Sequence, residues 1–287
     1  MKALETGTLA EPMANGRSDK PSALADFDDF AALLGDRHPA VFLDYDGTLT
    51  PIVERPDLAV LDESVRATIR RLAALCPVAV VSGRDLDDVA RHVGLDELVY
   101  AGSHGFDIRG PSLRTQIGLE YLNELGGAEA ELKARLSGLP GVLVERKRFA
   151  VAVHTRQAAP ADKPAVDEAV RNVAADHAQL RVTGGKEIHE LRPNLPWDKG
   201  RAVLALLDAL GLAGPDTAPL YIGDDETDED AFRALADRNG AGREGAGRGI
   251  GIRVMDPPSA TAAGWSLKDP AETAAFLDRL ADWLADS

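Results

Sequence analysis

The stretch AVFLDYDGTLT at residues 40–50 constrains the fold more than any other. Its opening apolar run, 40–43, reads as a strand buried on both faces, as in parallel sheets. The strand delivers Asp44 and Asp46 at its carboxyl end, where open α/β sheets bind their ligands. Residues two apart in an extended chain point the same way, so both carboxylates can face one site. Gly47 permits a sharp turn, and Thr48 offers a hydroxyl to fix it. Two converging acids at a strand end suit holding a hard cation while one of them attacks an electrophile. Alone, the same residues also describe an acidic surface loop with an Asp-Gly turn, so the flanking chain must decide.

The flanks repeat a strand–helix rhythm. A helix is expected over 62–75, with Val65, Ile69, Leu72 and Leu75 on one stripe. A second buried strand over 78–81 ends in Ser82–Gly83–Arg84–Asp85, and Asp85 is placed to cap a helix that stops at Gly94. The Ser82 hydroxyl and the Gly83 amide therefore sit at a strand end before a helix N-terminus, a ready anion site. A third strand over 97–100 leads into the permissive loop AGSHG at 101–105. Near the other end of the chain, Lys199 falls in the first turn of a helix running to 210. A cation is unfavourable there unless an anion lies beside it. The strand over 220–222 ends in GDDETDED, six acids within 224–230. Thr227 and Asp230 read as a capping box, which leaves Asp224 and Asp225 unexplained at another strand end. Such a crowd repels itself unless a cation is present.

Between these flanks the pattern becomes α-β-β-α-β-β, with hairpin-like links at Arg148 and at Gly184–Gly185. That order suits an antiparallel sheet with helices on one face. The expected fold class is α/β: a Rossmann-like parallel-sheet core with an inserted α+β domain. The boundaries read as a disordered tail at 1–24, core at 25–111, inserted domain at 112–193 and core again at 194–287. Within the insert, Glu145 shares a face with Lys147, His154 lies with Ala150 and Ala152 opposite the apolar Phe149, Val151 and Val153, and Lys186 shares a face with Ile188 and Glu190. Such faces are either plain solvated surface or a surface for a polyol. The glycine-rich run within 237–249 matches GxGxxG but follows a helix and precedes the strand 250–254, the reverse of a dinucleotide fingerprint.

A net charge of −15 argues against nucleic acid or an anionic membrane as partner. No apolar run approaches bilayer length. One cysteine, Cys76, forms no internal disulfide, which fits a reducing compartment. A cytoplasmic monomer is expected.

Taken together, DYDGT, a strand-final SGR, a separate lysine and GDDETD resemble the four motifs of the haloacid-dehalogenase superfamily of phosphatases. The insert looks like that superfamily's C2-type cap. AGSHG, ERKRFAVAVHTR, GKEIHELRP with WDKG, and GDDETDEDAF resemble the trehalose-6-phosphate phosphatase family more narrowly, over about residues 40–255. The resemblance implies a Mg2+-dependent hydrolase of trehalose 6-phosphate, with Asp44 as nucleophile and Asp46 as acid and base. Asp44, Asp46 (through its carbonyl), Asp224 and Asp225 would serve the metal; Ser82, Gly83 and Lys199 would hold the phosphoryl group. Glu145, Lys147, His154, Lys186, Glu190 and Arg192 would read the sugar. Other readings are a different sugar phosphatase or phosphomannomutase-like enzyme of this superfamily, and a non-catalytic sugar-phosphate binder. A signalling receiver domain fits poorly, because DYDGT comes on the first strand and an insert intervenes.

Overall fold

A computed structural model describes residues 20–53, 55–185, 187–238 and 248–286 of the 287-residue chain. Most of the expected tail (1–19), Lys186 and most of the glycine-rich loop (239–247) lie outside the described residues.

The first core segment runs α1 (Phe27–Leu34), β1 (His38–Leu43), α2 (Glu63–Ala73), β2 (Val78–Val81), α3 (Leu86–Val93), β3 (Val99–Gly102), β4 (Asp107–Gly110) and β5 (Leu113–Gln116). The insert follows as α4 (Leu122–Leu136), β6 (Leu143–Lys147), β7 (Ala150–His154), α5 (Lys163–Asp176), β8 (Leu180–Gly185) and β9 (Ile188–Pro193). The core then resumes with α6 (Lys199–Ala209), β10 (Thr217–Gly223), α7 (Asp228–Ala236), β11 (Ile250–Val254), β12 (Trp265–Leu267) and α8 (Pro270–Asp286).

Eight strands form one sheet in the order β12-β11-β10-β1-β2-β3-β4-β5, parallel through β3 and antiparallel beyond it. β1 therefore lies at the switch point, with the chain winding one way through β2 and β3 and the other way through β10 and β11. A crevice at such a point is the usual ligand site of open α/β sheets. Alternation along β1 explains the two layers. Val41 and Leu43 join a cluster with Phe30, Ile69, Val89 and Phe276 from α1, α2, α3 and α8. Ala40 and Phe42 join Val203, Leu206 and Phe232 from α6 and α7 on the opposite face. Among the described residues, no helix is long and apolar enough to cross a membrane.

The insert is a separate antiparallel sheet, β6-β7-β9-β8, with α4 and α5 over one face. Val151, Val153 and Leu191 pack there against Leu125, Leu132, Val166 and Val170. The pairing register puts Glu145, Ala152 and Glu190 in one row on the other face. Lys147 and His154 share that face by alternation.

Four boundaries differ from the sequence reading, the first being β10, which begins at Thr217 rather than at 220. The tail does not extend to 24, because Ser22 bridges Ser266 and Ala23 is fully buried. The third strand begins at Val99 rather than at 97. The insert does not begin at 112: β4 and β5 form a hairpin that extends the core sheet, so the chain leaves the core only after Gln116. DIRG and LRTQ are short, largely polar and without clean alternation, so no periodic signal marks them.

Candidate active site

The ends of β1 and β10 bring the chemistry together. Asp44, buried at the end of β1, accepts a hydrogen bond at Oδ1 from Lys199 Nζ at 2.9 Å. The same ammonium donates to Asp228 Oδ1 at 2.6 Å. Asp44, Asp224 and Asp228 each bring one carboxylate oxygen to a point where all three oxygens lie within 4.8 Å of one another. This is an oxygen-only donor set of the kind that suits a hard divalent cation. Lys199 is buried at the start of α6, so the lysine placed against its helix dipole does have its anions beside it.

Crowding shows in the acid–base properties. Burial drives the Asp44 carboxyl well above its ordinary value, against Lys199 and reinforced by Asp228 and Asp224. Burial, then the Asp228 charge, push Asp224 up to about 7. Burial disfavours the Lys199 ammonium, but Asp228 and Asp44 outweigh it and hold the group charged beyond its usual range. Three carboxylates with one ammonium leave negative charge that a bound cation would neutralise.

Asp228 is the member that sequence reading missed. Thr227, as N-cap of α7, makes no side-chain capping bond, so the expected capping box does not form. Asp228 is instead fully buried and accepts from Lys199, from the Tyr221 hydroxyl at 2.6 Å and from the Asp225 amide at 2.8 Å. Asp225, expected at the metal, is exposed; its carboxylate turns back to the Glu226 amide at 2.7 Å and lies outside the three-carboxylate cluster. A helix-start aspartate reads as a cap from sequence alone, and only the strand geometry distinguishes the two roles.

The turn after β1 is tight. Gly47 has φ +80°, and a Cβ there would lie 2.2 Å from Asp224 Oδ2. Glycine thus lets this turn approach the carboxylate. Thr48 Oγ1 donates to Asp224 Oδ1 at 3.3 Å. Asp46 is turned to Arg84, whose Nε and Nη2 donate to its two oxygens at 2.7 Å each. Arg84 also donates to Asp88 at 2.9 Å and stacks over the Tyr45 ring. This bidentate partner was not among the expected site residues.

Ser82 is buried at the end of β2, and its Oγ accepts from the Arg84 amide at 3.2 Å. Its own proton is therefore left to donate. Beside it, a Cβ on Gly83 would lie 2.8 Å from the His104 ring, so His104 covers the strand end. Burial and the charges of Arg192, Lys199, Lys147 and Arg181 push His104 well below its ordinary value, which makes it a neutral imidazole. Those cations come from both core and insert, so the polar face of the insert looks onto the core site.

On that face Glu190 is buried, accepting from Lys147 Nζ at 2.6 Å and from Arg192 Nε at 2.9 Å. Burial resists its charge, but Lys147 and Arg192 overcome it and bring the carboxyl down to about 2. His154 Nε2 meets Glu145 Oε2 at 2.7 Å. The structure thus groups Asp44, Asp46, Ser82, Gly83, Lys199 and Asp224 at the core strand ends, and Glu145, Lys147, His154, Glu190 and Arg192 on the facing sheet.

Comparison with known proteins places the chain among relatives of one family. A family model described as trehalose-phosphatase matches residues 42–271. Trehalose 6-phosphate phosphatase RA3 of Zea mays is 42% identical over 278 residues, covering 91% of this chain and 75% of that protein. Trehalose-phosphate phosphatase B of Arabidopsis thaliana is 38% identical over 275 residues, covering 92% and 71%. The structure of Aspergillus fumigatus trehalose-6-phosphate phosphatase is similar at a TM-score of 0.65 and 28% identity, covering 92% of this chain and 100% of that one. The C-terminal domain of C. albicans trehalose-6-phosphate phosphatase shares the fold at a TM-score of 0.74 and 22% identity, covering 92% and 98%.

Proposed function

The chain belongs to the trehalose-phosphatase family, and from that premise we propose that it hydrolyses trehalose 6-phosphate to trehalose and phosphate through an aspartyl-phosphate on Asp44. The observation that carries the reading is the buried junction in which Lys199 spans Asp44 and Asp228 beside Asp224. Lys199 occupies Oδ1 of Asp44, which leaves Oδ2 to attack phosphorus. The bond from phosphorus to the sugar oxygen breaks as the bond to Asp44 forms, and Asp46 gives its proton to the departing oxygen. Asp46 then takes a proton from water as that water attacks the aspartyl-phosphate, releasing phosphate and restoring Asp44.

Arg84 holds both oxygens of Asp46 as an ion pair, and Asp46 takes up its acid and base roles once it has left that pair. The Ser82 hydroxyl, the Gly83 amide and Lys199 supply donors to the phosphoryl oxygens. Asp44, Asp224 and Asp228, with the Asp46 carbonyl, would hold magnesium; when bound it offsets charge on the carboxylates and on the transferring group. Phosphate-monoester hydrolysis is among the slowest uncatalysed reactions, so several such devices are needed at once. Glu145, Lys147, His154, Glu190 and Arg192 offer a row of donors and acceptors suited to sugar hydroxyls.

The test is inorganic phosphate release from a panel of sugar phosphates, with magnesium and with EDTA. Magnesium-dependent release chiefly from trehalose 6-phosphate is expected. Equal release across the panel would remove the sugar-reading role of the insert. No release from any member would overturn the activity.

A further inference from the structure

Asp85 has the extended backbone of an N-cap, φ −61° and ψ 146°, yet its side chain makes no capping bond to α3. The carboxylate is directed elsewhere. Oδ1 accepts from the Ser103 hydroxyl at 2.8 Å, and the two oxygens share the main-chain amide of Arg148 at 3.1 and 3.0 Å. Ser103 belongs to the core turn after β3; Arg148 is the tip of the β6–β7 hairpin of the insert. One core carboxylate thus ties the two domains through a backbone amide.

Its surroundings are arranged for that contact. Ser103 stands at φ +50°, a left-handed conformation uncommon for a residue with a Cβ, and its amide donates to the Arg84 carbonyl at 2.6 Å. Phe106 of the core and Phe149 of the hairpin stack with centroids 5.7 Å apart and planes 19° apart. Arg148 Nε lies 3.5 Å from Asp107. A cleft of about 310 Å3, lined by Asp85, Asp88, Arg91, Asp107 and Arg148, follows the seam.

The residue beside the docked amide is Lys147, the partner of Glu190. We infer that Asp85 is a positioning residue: it docks the hairpin tip on the core and thereby sets Lys147 and Glu190 over the phosphoryl site. The inference rests on the insert being the sugar-reading surface. The hydrogen bonds of Asp85 go to Ser103 and Arg148 and not to Asp44, Asp224, Asp228 or Lys199, so its loss removes no bond of the reacting carboxylates.

The test compares Asp85→Ala and Asp85→Asn in the full chain with magnesium, on trehalose 6-phosphate and on p-nitrophenyl phosphate, whose small aryl group does not need the insert. Asp85→Ala is expected to raise KM for the sugar phosphate about tenfold, the scale of a lost hydrogen bond to a charged group, with kcat within about threefold. Turnover of the aryl phosphate stays unchanged. Asparagine keeps an oxygen for the Arg148 amide and is expected to restore most of the KM. Amide hydrogen exchange at the hairpin tip rises in Asp85→Ala and not in Asp85→Asn. Equal losses on both substrates, equal losses in both variants, or an unchanged KM with unchanged exchange would each overturn the inference. If the wild type cleaves the aryl phosphate but not trehalose 6-phosphate, the sugar reading fails by itself, and exchange at the tip still decides whether Asp85 docks the hairpin.

Discussion

Replacing Glu190 with glutamine should expose how strongly the polar face of the insert depends on one buried charge. The glutamate is 6% exposed and is held between Lys147 and Arg192. Its carboxyl titrates near 2 in the fold against an ordinary value of 4.5. A carboxyl so depressed contributes about 3 kcal/mol of stability at pH 7. Because the folded value is the lower one, this contribution is complete above the unfolded value and is lost as pH falls through the folded one. At pH 3.5 about 2 kcal/mol remains, and below about pH 2 essentially none. Glutamine keeps the size and loses the charge, so Glu190→Gln should be less stable by about 3 kcal/mol at pH 7, with the gap narrowing at pH 3.5. Urea unfolding of both proteins at pH 7, 5 and 3.5, followed by far-ultraviolet circular dichroism, measures the gap directly. A gap that does not change with pH, or one below about 1 kcal/mol at pH 7, would refute the account of Glu190 as a buried, paired charge.

Asp44→Asn should remain folded and lose at least about a thousandfold in phosphate release; a folded variant with a tenth of wild-type activity would end the nucleophile assignment. Asp228→Asn should raise the magnesium concentration needed for half-activation by about ten- to a hundredfold, whereas Asp225→Asn should change it little, and a magnesium titration of turnover that ranks them the other way would exclude Asp228 as a ligand. Lys199→Met leaves Asp44 and Asp228 buried without their cation, which costs about 3–5 kcal/mol. Melting in EDTA should drop by about 6 °C or more, and addition of magnesium should recover part of the loss. An unchanged melting temperature would show that the buried ammonium does not hold these carboxylates.

The core was legible where burial is two-sided. β1, β2 and β10 are apolar runs, and each is followed by a site residue, Asp44, Ser82 or Asp224. The hairpin β4–β5 was not legible, because DIRG and LRTQ carry no period and only pairing with β3 makes them strands. The three-residue β12 was equally silent. At the site, Asp44, Ser82, Lys199 and Asp224 could be singled out because each sits against a local preference or at a strand end. Asp228 and Asp85 could not. Both stand at helix starts, where an aspartate is expected for capping, and each is drawn into tertiary contacts by partners far away in sequence. Arg84 was hidden for the opposite reason: an arginine in a loop is unremarkable until Asp46 is found across from it.

The central pairing of the molecule joins His38 to Thr217, 217 − 38 = 179 residues later. During synthesis β1 must therefore wait, with one edge unpaired, until β10 has left the ribosome. The insert has no such delay, since all its strand pairs fall between Leu143 and Pro193. Loop-closure entropy makes the distant pairing the slow event, and an apolar strand with an open edge invites pairing with other chains in the meantime. The arrangement that brings Asp44 beside Asp224 thus makes the nascent core depend on rapid completion of the chain.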